Sequence, residues 1–140
     1  MYKSTDSHSF TLGAVILEFL RVARFSEKEI ATFTYDTRLF HDLNLFGDTA
    51  EDIFEILHEV FNVELTSFIF DEYFPVEFSE DVACIDNLGI FLFFRLDLIL
   101  KNVFKKLTRK VDEIHDKYKP ITLHMVEESI KKGRWVDFIG

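Results

Sequence analysis

Residues Asp42 to Leu65 read DLNLFGDTAEDIFEILHEVFNVEL, and the fold follows from this stretch. Ile53, Ile56, Leu57, Val60 and Phe61 recur at helical spacing, which predicts one apolar stripe on an amphipathic helix. Asp48 stands where an N-cap belongs, with Glu51 three residues on to close a capping box. Asn62 fits the helix end, because asparagine tolerates the left-handed backbone that stops a helix. Asp48, Glu51, Asp52, Glu55 and Glu59 fall largely off the stripe, so the helix has an acidic outer face.

Working outward, the neighbouring segments carry helical signals too. Leu12, Val15, Ile16, Phe19 and Leu20 form a stripe in a first helix, with Ser9 as its expected cap. Ser26-Glu27-Lys28-Glu29 reads as a capping box that opens a short helical turn. The chain then reads as loop through Asp36. Leu39, Phe40, Leu43 and Leu45 are spaced to tuck a long loop onto a core. VELTSFIFDEYFP (63–75) fits a short helix or an extended segment, with Pro75 as its stop. Residues 88–119 read as one long helical stretch, apolar almost all round at first and basic later, with Asp97 and Lys101 placed to pair four residues apart. Pro120 and Thr122 open a last helix, and Gly133 sits where its C-terminal cap belongs. Only 5 Gly and 2 Pro occur in 140 residues, too few for a turn-rich β architecture. The expected fold is all-α, in a single domain over 1–140.

Charge and composition exclude several function classes. Met1 to Asp86 carries 5 Lys/Arg against 18 Asp/Glu, while Asn87 to Gly140 carries 11 against 7. The acidic part argues against nucleic-acid binding, which needs a basic footprint, and suits a basic protein surface. The single cysteine, Cys84, rules out an internal disulfide and fits a reducing cytoplasm. The N-terminus MYKSTDSHSF has no charged-then-apolar secretory pattern. None of the five histidines stands at the i, i+4 spacing of a zinc helix. No Gly-x-Ser-x-Gly elbow or glycine-rich phosphate loop is present. No catalytic residue, metal or cofactor is therefore expected.

Two blocks together carry a resemblance. One is TRLFHDLNLFGDTAEDIFEILHEVFNVEL followed by FIFDEYFP, within Thr37 to Pro75. The other is KPITLHMVEESIKKGRW, Lys119 to Trp135. In this order they resemble a bacterial family, domain of unknown function 1493, whose members are often described as acyl-carrier-protein-like. The resemblance implies a small acyl-carrier-like helical bundle over about 9–78, with further helices over about 86–136, including an added long amphipathic helix near the C-terminus. Carrier proteins open their second helix with a serine that is esterified by phosphopantetheine, where free amides and the helix dipole favour a phosphate. Aligned on Phe61 and the Ile53 to Leu57 stripe, that slot holds Gly47, which has no hydroxyl. Thr49 lies two residues on, about 200° around the axis. Asp6-Ser7 copies the carrier dipeptide without its apolar follow-on. The resemblance with Gly47 in the slot implies a carrier scaffold without the prosthetic arm.

The expected function is therefore non-enzymatic: an adaptor that presents Asp48, Glu51, Asp52, Glu55 and Glu59 to a basic partner. Three alternatives stand beside it: an acidic inhibitor or immunity protein masking a basic partner, a true acyl carrier using Thr49 or a shifted serine, and a peripheral membrane protein. Residues 88–110 bear on the last, and their apolar run is 88–104. A span needs about 20 mostly apolar residues, and Arg95, Asp97 and Lys101 interrupt this run. It fits a buried core or interface helix first, and a membrane-surface helix second. Phe91, Phe93 and Phe94 cannot all face one core, so a homodimer surface is also open. The basic cluster after it suits anionic lipid or the chain's own acidic helix.

Overall fold

In the computed structural model, which describes residues 12–75 and 79–137, α1 (Ala14–Val22) buries Ile16, Phe19 and Leu20. Gly13 stands at its N-cap position without a side-chain bond. Ser9 and Asp6-Ser7 lie outside the described residues. A one-turn α2 (Glu27–Ile30) follows, and the capping box is present as expected: Glu29 N–H donates to Ser26 Oγ at 3.1 Å, and Ser26 N–H donates to Glu29 Oε1 at 2.8 Å. The loop from Phe33 to Leu45 then crosses the core, with Leu39 and Phe40 fully buried.

The decisive stretch forms α3 (Gly47–Glu59), which buries Ala50, Ile53, Phe54 and Leu57. Two details differ from the sequence reading. Val60 lies beyond the helix end and is exposed, while Phe54 takes the inward place. Asp48 does not cap the helix. Phe46 is the N-cap residue, without a side-chain bond, and Asp48 falls inside the first turn. The chain enters through Gly47 at φ 59°, which starts the helix before Asp48 is reached. Asp48 then complements the positive end of the helix only through its charge. Asn62 is left-handed at φ 58°, as a helix stop requires, and Val63 N–H donates back to the Leu57 carbonyl at 3.0 Å.

The ambiguous segment after Val63 resolves into a one-turn α4 (Phe70–Tyr73) followed by extended Phe74. Next comes α5 (Glu80–Phe93), capped by Ser79. A 3-10 turn (Leu96–Leu98) reverses the chain into α6 (Lys101–Lys117), and α7 (Leu123–Lys132) ends the described fold. Thr122 caps α7 by accepting from Met125 N–H, and left-handed Gly133 closes it, both as expected. Among the described residues there are seven α-helices and no strand beyond two isolated bridges. The chain is all-α, a small helical bundle with the long amphipathic α6 before its last helix.

The expected single helical stretch over 88–119 is instead two antiparallel helices. Phe91 of α5 stacks on Phe104 of α6. At the opposite end, Tyr118 Oη donates to Asp81 Oδ2 at 2.8 Å, and Lys117 Nζ pairs with the same oxygen at 2.8 Å. The cause is burial. Only the folded-back arrangement brings Val111 and Ile114 of α6 into the core, whereas one straight helix of some 30 residues would extend about 45 Å. Neither glycine nor proline marks the turn; Arg95 takes the left-handed conformation at φ 57°.

α7 ties the two blocks of the sequence together. Leu39 N–H donates to the Ile121 carbonyl, and Leu123 N–H to that of Thr37. At the other end, Glu64 N–H donates to the Gly133 carbonyl, and Trp135 N–H to that of Glu64. Trp135 thereby comes within 5.6 Å of Phe54 and 5.0 Å of Phe68. Phenylalanine-rich contacts fill the middle of one core cluster that runs from Leu12 to Trp135.

Beside Phe40, His41 Nε2 donates to the His115 carbonyl at 2.7 Å. Burial, and then the neighbouring His41, hold the His115 imidazole below its ordinary pKa; Arg38 acts in the same direction, and Asp112 and Asp116 oppose it. A folded-state pKa below the unfolded one means that the unfolded chain takes up the proton first on acidification. Stability contributed by neutral His115 is thus complete above about pH 6.5, the ordinary histidine value, and is lost as pH falls below it toward the depressed folded value. The melting temperature should fall between pH 7.5 and 5.5, and His115→Gln should flatten that slope. Equal slopes in thermal melts of both proteins would refute the assignment.

Candidate acidic binding face

The candidate site is the outer face of α3. At 100° per residue, Asp48, Glu51, Asp52, Glu55 and Glu59 span an arc of about 100°, opposite Ala50, Ile53, Phe54 and Leu57. All five carboxylates are exposed. Among the described residues none of them makes an ion pair or a side-chain hydrogen bond.

Other carboxylates of the fold behave differently. Asp42 is gripped by Arg38, whose hydrogen bonds hold its carboxyl below the usual range. Asp81 is held low by Lys117 and then by Tyr118, against the opposing effect of burial. Glu72 pairs with Lys119 at 2.7 Å, and Glu27 with Arg21 at 2.9 Å. The basic cluster of α6 does not reach the acidic face of α3: Lys101, Lys105, Lys106 and Arg109 have no ion pair among the described residues. The expected pairing of Asp97 with Lys101 is also absent. Asp97 lies in the 3-10 turn and faces Arg95 at 3.4 Å, because the helix that would have aligned it with Lys101 is broken there.

One flank of the acidic face borders a cleft of about 500 Å³ between α3 and the turn joining α1 to α2. Phe25, Leu45, Ile53 and Ile56 supply its apolar surface; Thr49, Asp52 and Glu55 line the α3 side. Arg24 and Glu29 stand on the other wall. The sequence offered no signal for Arg24, an isolated charge that reaches the cleft because it ends α1 in the left-handed conformation at φ 73°.

Gly47 is buried at the head of the same helix. Its φ of 59° lies in the region that glycine enters at little steric cost and that serine enters only with strain. Cys84 is buried as well. Among the described residues no three His, Cys, Asp or Glu side chains gather as a metal site, and no helix is long and apolar enough to cross a membrane.

A family model described as "Protein of unknown function (DUF1493)" matches residues 11–87, just over half of the chain. The chain belongs to this family. The DUF1493 match runs from α1 through α4 into the first half of α5, so it contains the whole acidic face and its cleft. The Lys119 to Trp135 block lies outside the match, although α7 is bonded to the matched part at both ends. No curated protein and no solved structure matches the chain.

Proposed function

We propose that this DUF1493 chain is a non-enzymatic, acyl-carrier-like adaptor whose α3 receives a basic protein surface. The observation that carries this reading is the set of five exposed carboxylates on one face, none of them in an ion pair among the described residues. Such an array leaves its negative field outside the molecule, where it speeds and orients encounter with a positive surface. The adjoining cleft adds shape. Its apolar surface beside Asp52 and Glu55 suits a partner that inserts an apolar side chain next to a Lys or Arg. Buried, left-handed Gly47 supports binding rather than attachment of a prosthetic arm, because that position has no hydroxyl and a backbone that serine would enter only with strain.

The test is partner capture from host lysate by the immobilised full chain, with captured proteins identified by mass spectrometry. Glu51→Lys with Glu55→Lys should weaken capture of a basic partner by about tenfold or more, since each reversal turns an attraction into a repulsion. Both side chains are exposed, so the variant should keep its fold by circular dichroism. Capture that is indifferent to the double reversal would sink the proposal.

A further inference from the structure

The hairpin of α5 and α6 ends in an uncovered apolar tip. Of eleven exposed large apolar side chains in the described residues, eight fall between Ile90 and Val103. Phe93 is 79% exposed and Ile99 75%. Contiguous exposure of this kind marks a docking surface rather than ordinary scatter. The shaft behind the tip is basic: residues 90–110 carry six Lys/Arg and one acid. That acid, Asp97, is already held by Arg95. Lys105, Lys106 and Arg109 lie on the side of α6 away from Phe104, Leu107 and Val111, and all three are exposed.

We infer that this tip docks on an anionic phospholipid surface. Charge complementarity selects that occupant, because an apolar end with a cationic collar matches acyl chains beneath anionic headgroups. The dimensions agree. Lys105 lies about 6 Å along α6 from Lys101, and Arg109 about 12 Å. The headgroup zone on each side of a bilayer is about 5–8 Å deep. With Phe93, Phe94, Leu98 and Ile99 at the acyl boundary, Lys101, Lys105 and Lys106 meet the headgroups. The contact is peripheral, since no helix among the described residues can span. A second copy fits less well: apposing two tips brings Arg95 and Lys101 of both chains together, like against like.

This surface lies apart from the acidic face of α3 and does not depend on the function proposed for it. The experiment is co-flotation of the full chain with vesicles of phosphatidylcholine alone or with 30% phosphatidylserine, together with light scattering of the chain in solution. Binding to the anionic vesicles should exceed that to neutral ones by tenfold or more and should fall in 0.5 M salt. Phe93→Ser with Ile99→Ser should lose it, as should Lys101→Glu with Lys105→Glu. Glu51→Lys with Glu55→Lys should keep it. No flotation, equal flotation with both vesicles, or a dimer that the Phe93→Ser, Ile99→Ser variant dissolves while vesicles stay empty would each overturn the inference.

Discussion

Phe40→Ala is expected to cost about 3–5 kcal/mol, as full truncation of a buried aromatic does. Phe40 is 1% exposed, and its ring meets Phe46, Phe74, His115 and Tyr118 edge-on at 5.0–6.4 Å. These neighbours come from the head of α3, the end of α4 and the last turn of α6. They are anchored by separate elements, so they cannot collapse together into the void. The melting temperature should drop by roughly 10 °C or more for a domain of this size. Phe40→Leu retains most of the volume and should cost less. A Phe40→Ala protein that melts within about 3 °C of the parent, less than 1 kcal/mol on this scale, would show that the core does not converge on this ring.

Tyr35→Phe should cost about 2–3 kcal/mol through one oxygen atom. Gly13 N–H donates to Tyr35 Oη at 2.7 Å, and the hydroxyl donates to Glu127 Oε2 at 2.9 Å. Glu127 is 6% exposed, and its other oxygen lies 3.4 Å from Lys131 Nζ. Removing the hydroxyl leaves the amide at the head of α1 without its acceptor and a buried carboxylate short of a donor. Space enforces the arrangement as well: a Cβ at Gly13 would come within 2.9 Å of Tyr35 Oη. Glu127→Gln keeps an acceptor for the tyrosine and should lose less. Urea unfolding of the two variants checks the order. Equal stability of Tyr35→Phe and the parent would mean that the relay contributes nothing.

Short-range chemistry made much of this fold legible. The capping box at Ser26, the Thr122 cap, the Gly133 and Asn62 stops and the core stripe of α3 depend on residues within four or five positions of one another, and these are found, the stripe with Phe54 in place of Val60. The acidic face was legible for the same reason. Helical period alone sets which carboxylates share an arc, and the core side leaves the opposite side in water. Where the structure differs, an unforeseen backbone conformation or a distant partner decided. Spacing marks Asp48 as a cap and cannot reveal the positive φ of Gly47. The Phe25, Leu45 and Arg24 wall of the cleft is assembled from segments that share no local pattern.

The sequence by itself determined the all-α class, the amphipathic α3 and its five outward carboxylates, because periodicity and capping are properties of neighbouring residues. Only the tertiary structure decided that residues 88–119 fold back on themselves, that Lys101, Lys105, Lys106 and Arg109 stand apart from the acidic helix, and that Phe93, Phe94 and Ile99 face outward. The physical reason is the competition for one core. Val111 and Ile114 could be buried only if the chain reversed, and the residues at the reversal, however apolar, were left at the tip.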